Sequence, residues 1–183
     1  MTTTSSTTMP SRMARSLRGD RAASSVELPT DRHRVEGFEC GHLELDQWLV
    51  RTAPVAARAG TAATYVLCRG PRVVGYYALA MGSISHVAAP SRLRRGMPDP
   101  VPVVVLARLA LDLSEQGNKL SGHLLVDALR RCARGGQEFG ARAVVVDAID
   151  DRAAAFYRHF GFHDLGGARL WRRMSDIAQA LNS

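Results

Sequence analysis

The spacing of hydrophobic positions changes along the chain, and each change marks an element. Leu43, Leu45, Trp48, Leu49 and Val50 recur at roughly helical spacing and predict a first helix running to about Arg58. Thr64 to Cys68 reads as a strand, Arg69 to Arg72 as a turn, and Val73 to Ala80 as the hairpin partner. Val101 to Leu111 is almost continuously apolar and rich in valine, as expected of a strand buried on both faces. Leu124, Leu125, Ala128, Leu129 and Cys132 fall on one side of a helix predicted from Leu120 to Phe139, with Gly135 and Gly136 weakening its last turn. Ala143 to Ala148 is a second buried strand. Asp150 or Asp151 caps a short helix through Phe160, and Gly161 stops it. Ala168 to Met174 closes as a last strand. A hairpin followed by alternating strands and helices predicts an α/β protein with a mixed central sheet and helices on both faces.

Residues 1–32 break this pattern. They are rich in Ser, Thr and Arg and poor in large apolar residues, so they bury too little surface to order themselves. A disordered tail is expected there, followed by one folded domain over 33–183. The tail lacks the apolar core of a secretory signal. No apolar run approaches the roughly 20 residues that span a bilayer, and no membrane partner is expected. Cys40, Cys68 and Cys132 are odd in number and widely spaced, which indicates neither a disulfide framework nor a metal site and suits a reducing, cytoplasmic setting.

The formal net charge is +7 and the pI is about 10.1. Such a balance favours an anionic partner, nucleic acid first. Its composition qualifies that, because an Ala- and Arg-rich bias also produces a basic chain without any partner. All but one of the 24 basic residues are Arg, whose fork suits phosphate. Arg92, Arg94 and Arg95 form a basic segment between prolines, either a solvated face or a clamp for the phosphates of a nucleic acid. Arg108 is the one charge inside the Val101–Leu111 strand and needs either a structural partner or a substrate in a cleft. His86, near the end of the hairpin strand, is either a candidate substrate-side base or a structural histidine.

Three segments carry a resemblance: Leu106-Ala107-Arg108-Leu109-Ala110-Leu111-Asp112, then Gln116-Gly117, then Ala155-Phe156-Tyr157-Arg158-His159-Phe160-Gly161-Phe162. Together they resemble the GNAT-fold N-acyltransferases over about Gly37 to Met174. Phe38-Glu39-Cys40-Gly41, Val73-Val74-Gly75-Tyr76-Tyr77 and Met97-Pro98-Asp99-Pro100-Val101-Pro102 look like the subgroup of toxins that acetylate the amino group of aminoacyl-tRNA. The resemblance implies a signature loop Gln/Arg-x-x-Gly-x-Gly/Ala, here Gln116-Gly117-Asn118-Lys119-Leu120-Ser121, with Gly122 next. Lys119, the single lysine, and Ser121 stand where the family keeps its two small residues, and side chains there are expected to crowd a CoA pyrophosphate. The resemblance also implies Tyr157 as general acid and the backbone near Leu109 and Leu111 as the group polarising the acyl carbonyl.

With the loop altered, no cofactor is expected. The first expectation is an acyltransferase that binds aminoacyl-tRNA and passes its aminoacyl group to the amine of a small-molecule acceptor. The alternative is an acetyl-CoA-dependent toxin that acetylates aminoacyl-tRNA and blocks translation, with a ribbon-helix-helix antitoxin as partner. A further alternative is a non-catalytic GNAT that binds RNA or protein. A homodimer is compatible with each.

Overall fold

The computed structural model describes residues 25–182, so most of the predicted tail lies outside the described residues. Six strands form one sheet: β1 (Ala63–Arg69), β2 (Arg72–Ile84), β3 (Val101–Leu111), β4 (Ala143–Asp147), β5 (His163–Gly166) and β6 (Arg169–Arg173). Their order is β1-β2-β3-β4-β6-β5. Only β3 and β4 run parallel, joined through the long helix α4 (Leu120–Glu138) as a crossover requires. Before β1, α1 (Leu43–Gln47), a π turn (Trp48–Thr52) and α2 (Ala53–Ala59) replace the single predicted helix. Pro54 has no N–H to offer the carbonyl one turn back, so the ladder slips to a wider turn there.

The sheet is covered on both sides. Leu67, Val74, Tyr77, Val104, Val144 and Leu170 pack on one face against α4, α5 (Asp151–His159) and α6 (Met174–Leu181). On the other face Val66, Val73 and Tyr76 meet Leu49 and Phe38, while Val101, Val103 and Val145 meet Leu93 of the short helix α3 (Ser91–Arg94).

Two elements differ from expectation. β5 carries the polar sequence HDLG and is held by backbone pairing to β6, so no hydrophobic alternation announces it. α6 is eight residues with no side-chain cap, and it is secured by burying Met174 and Ile177. Gly136 makes that docking possible, since a Cβ there would lie 2.5 Å from Met174 Cε. The domain also starts earlier than residue 33. Val26 is buried in the main core, Glu27 pairs with Val66, and Arg131 Nη2 donates to the Val26 carbonyl at 3.0 Å.

One irregularity of the sheet prepares the site. β3 and β4 pair only at Val104–Leu106 with Val144–Val146, after which β3 runs on alone on that side to Leu111. Ala78 pairs with Arg108 and Leu79 with Leu106, so Ala107 is an extra residue bulged out of β3. A bulge bends and twists its strand. Here it accompanies the divergence of two parallel strands into a cleft.

Candidate active site

The cleft between the diverging ends of β3 and β4 has a volume of about 410 Å³. Leu109 to Leu111 form one wall, Cys40 to His42 and Leu45 another, and Ile149, Arg152, Phe156 and Tyr157 a third. Asp112 N–H donates to the Val74 carbonyl at 2.9 Å, across the β2 side. Peptide groups alternate along an antiparallel pair, so those of Ala110 and Arg108 also face β2 and those of Leu109 and Leu111 face the cleft. The Leu111 carbonyl confirms the parity: it points away from β2 and accepts from Gln116 Nε2 at 3.1 Å. Two backbone N–H groups are thereby aimed where β4 has withdrawn, ready to bind a developing negative charge on a carbonyl oxygen.

Below them lies the loop between β3 and α4. Gln116 ties this loop to its surroundings, because its Nε2 also donates to the Cys40 carbonyl at 3.1 Å. Gly117 has φ 85° and Lys119 has φ 60°, the only positive φ of a non-glycine among the described residues. Lys119 thus occupies a glycine conformation, and the backbone keeps the path a glycine loop would take. Asn118 and Lys119 are exposed, Leu120 turns into the main core, and Ser121 lines the cleft. Gly122 lets the helix approach α5, since a Cβ there would sit 2.9 Å from the Phe160 ring. The crowding expected from the two substituted positions therefore concerns side chains alone.

Asp112 anchors the loop. It is 3% exposed and accepts from the amides of Glu39 (3.2 Å) and Ser114 (3.0 Å), with Arg72 at 2.9 Å. Burial pushes its pKa up, but the Ser114 and Glu39 hydrogen bonds and the Arg72 charge outweigh it and hold the carboxyl below its ordinary value.

Tyr157 is placed by α5. Asp150 caps the helix, accepting from Ala153 N–H at 2.7 Å, and Arg172 Nη1 holds its far end by donating to the Phe160 carbonyl at 2.7 Å. The Tyr157 ring is 6% exposed and packs on Phe156 and Phe162 at centroid distances of 5.4 and 5.6 Å. Burial raises its pKa, so the phenol stays protonated at neutral pH. The residue both packs and lines the cleft. Arg108 lies on the other face of β3. Its Nη1 donates to the bulged Ala107 carbonyl at 2.7 Å, its guanidinium sits 5.7 Å from the Trp48 ring, and Glu44 is 3.5 Å away. Its Nε is buried without a partner.

Compared with known proteins, the chain is 48% identical over 133 residues to the tRNA-acetylating toxin of Mycobacterium tuberculosis (strain ATCC 25618 / H37Rv), covering 73% of this chain and 80% of that protein. The chain belongs to the tRNA-acetylating toxin family. A probable toxin TacT of Sinorhizobium fredii (strain NBRC 101917 / NGR234) is 29% identical over 157 residues, 79% of this chain and 87% of its own. Among solved structures, AtaT complexed with acetyl-methionyl-tRNAfMet has a TM-score of 0.79 at 27% identity, with 87% of this chain and 99% of that one covered. The AtaTR complex bound with acetyl-CoA gives 0.76 at 27% identity, covering 86% and 97%. No protein-family model matches the chain. The protein has the GNAT fold and is an acyltransferase.

Within this toxin fold, some residues singled out from the sequence lie away from the cleft. His86 Nε2 lies 3.1 and 2.9 Å from the carbonyls of Met97 and Pro98, and its amide donates to Asp99 Oδ1 at 3.0 Å. It holds the turn ahead of β3 and is not placed as a base in the cleft, a correction to the sequence expectation. Arg92, Arg94 and Arg95 are exposed on α3 and the turn after it, and Arg94 donates to the His86 carbonyl at 3.1 Å. They stand at the start of β3, roughly 30 Å along the strand from Leu111. Arg152 was missed. Its one available signal was a basic residue beside the cap of the short helix, which reads from sequence as a solvated surface position. Among the described residues no His, Cys, Asp and Glu cluster is placed to hold a metal ion, and no helix is long and apolar enough to cross a membrane.

Proposed function

We propose that this protein transfers the acetyl group of acetyl-CoA to the α-amino group of an aminoacyl-tRNA, which would block translation. The observation that carries this reading is the cleft: two free N–H groups, a glycine-shaped loop and a buried tyrosine converge in a chain 48% identical to a tRNA-acetylating toxin. Acetyl-CoA, when bound, supplies the acyl carbon as a thioester. The chain's part is positioning and electrostatics. The N–H groups of Leu109 and Leu111 stabilise the negative charge that grows on the acyl oxygen as the amine attacks. The amine needs little help from a base, because an α-amino group with a pKa of about 8 is about one-quarter neutral near pH 7.5 and re-equilibrates rapidly. As the C–N bond forms and the C–S bond breaks, the Tyr157 hydroxyl gives its proton toward the sulfur. The proton released by the new amide returns to the phenolate through water.

The exposed Arg92, Arg94 and Arg95 and the half-exposed Arg108 are the groups proposed to meet tRNA. The wide separation of α3 from the cleft fits an extended phosphate backbone rather than a small substrate. Relatives complexed with the antitoxin AtaR support an antitoxin as the regulatory partner here too. The reading in which aminoacyl-tRNA donates its aminoacyl group to a small-molecule amine has neither a relative nor a feature of the cleft in its favour. Incubating the protein with charged tRNA, with and without acetyl-CoA, and weighing the aminoacyl product decides between them. N-acetylated aminoacyl-tRNA formed only with acetyl-CoA is expected, and aminoacyl transfer to an added amine without acetyl-CoA would overturn the proposal.

A further inference from the structure

Beyond Leu106, the last residue of β3 that pairs with β4, the free edge of β3 carries carbonyls as well as N–H groups. The Arg108 N–H faces β2, so the Ala107 carbonyl in the same peptide plane points the other way, to the side that β4 has left. It shares that edge with the N–H groups of Leu109 and Leu111. A bare carbonyl dipole there would oppose them, because it repels the negative oxygen at which they are aimed. Arg108 Nη1 donates to this carbonyl at 2.7 Å. At the far end of the same edge, Gln116 Nε2 donates to the Leu111 carbonyl at 3.1 Å. Two side chains thus cover the carbonyls on either side of the paired N–H groups. Stability does not account for Arg108. Its Nε is buried without a partner, which costs stability, and Glu44, 3.5 Å away, is exposed. The guanidinium instead sits near the Trp48 ring, which stacks on Tyr76 at a centroid distance of 5.8 Å. The Tyr76 hydroxyl donates in turn to the carbonyl of Leu45, on the cleft wall, at 2.7 Å. Arg108 therefore links the bulge in β3 to the facing wall.

We infer that Arg108 is a positioning residue for acetyl transfer: it ties down the bulged Ala107 peptide and cancels its dipole, so that the Leu109 N–H meets the acyl oxygen unopposed. The inference rests on the acetyl-CoA reading above. It goes beyond that reading by giving this side chain a task in the chemical step, in addition to any contact with tRNA. The side of the guanidinium toward Glu44 stays open for that contact. The opposing dipole matters only as negative charge grows on the acyl oxygen, so its cancellation acts on turnover and not on donor binding.

Steady-state acetylation by the full chain, with acetyl-CoA and bulk charged tRNA each varied to saturation, tests this on wild type, Arg108→Met and Arg108→Lys. Arg108→Met should lower kcat by about 10-fold or more even at saturating tRNA, and leave the KM for acetyl-CoA unchanged. Its Tm should equal or exceed that of wild type, because a buried N–H without a partner is removed. Arg108→Lys keeps a charged donor, though without the fork, and should recover part of the lost kcat. A kcat restored by saturating tRNA, with only the KM for tRNA raised, would overturn the inference and leave Arg108 as a tRNA contact. Activity and Tm falling together in both variants would also overturn it, since the residue would then be a brace of the fold alone. So would a lysine variant no more active than the methionine one, because a donor to the Ala107 carbonyl would not be what matters. If wild type forms no N-acetylated aminoacyl-tRNA, the acetyl-CoA reading itself fails, before any variant is compared, and the inference fails with it.

Discussion

Replacing Lys119 by glycine should make this protein more stable, although the residue is exposed and its side chain makes no capping hydrogen bond. A non-glycine residue in the left-handed region is disfavoured by roughly 1–2 kcal/mol, and Lys119 holds φ 60° and ψ 7°. Glycine removes that penalty, while its greater freedom in the unfolded chain takes back roughly 0.5–1 kcal/mol. Losing an ammonium from the start of α4 adds roughly 0.3–1 kcal/mol. The sum is a gain of about 1 kcal/mol, or about 2–4 °C in Tm for a domain of this size. Lys119→Ala separates the two contributions, since alanine removes the charge and keeps the strain. Urea unfolding of the three proteins should therefore rank glycine above alanine by roughly 0.5–1 kcal/mol, and alanine above wild type. Alanine equal to or above glycine would refute the left-handed conformation at this position.

Other outcomes follow from the same geometry. Tyr157→Phe should lower turnover by about 10²-fold or more with little change in Tm, because the ring keeps its packing on Phe156 and Phe162 and only the proton is lost; unchanged turnover would remove the hydroxyl from the chemistry. Ala at Arg92, Arg94 and Arg95 together should weaken tRNA binding and reduce its salt slope by up to about 3, a gel-shift series in salt being the measurement; an unaltered slope would place the tRNA elsewhere. Asp112→Asn should destabilise the fold by about 2 kcal/mol, since it uncouples Arg72 and weakens the bonds from Ser114 and Glu39. The Asp112 carboxyl titrates lower in the folded state than in the unfolded chain. The folded state then binds fewer protons, and the stability from this group is present above about pH 4 and lost as pH falls below it. Wild type should lose its advantage over Asp112→Asn in that window, and a difference independent of acid would show that the carboxylate charge is not what matters.

The elements that bury a continuous or periodic apolar set could be read directly from the chain. β3 and β4 announce themselves by unbroken valine-rich runs, α4 by its Leu124–Cys132 stripe, and α5 by the Asp150 cap and Gly161 stop, because burial and capping are local demands on residue type. The unusual residue at Lys119 was equally visible, but its meaning was not. Sequence spacing shows that a glycine position is filled, whereas only the fold shows that the backbone holds the glycine conformation regardless. β5 and α6 were hidden because their stability comes from partners: β5 from backbone bonds to β6, α6 from Met174 seated over Gly136. The same holds at the site. That Leu109 and Leu111 point their N–H groups into the cleft follows from the pairing of β3 with β2 and from the early parting of β3 and β4. That His86 braces a turn while Arg152 faces the cleft depends on which loops meet in space. Residue type determines what a side chain can do, and long-range packing decides which of those capacities lies beside the substrate.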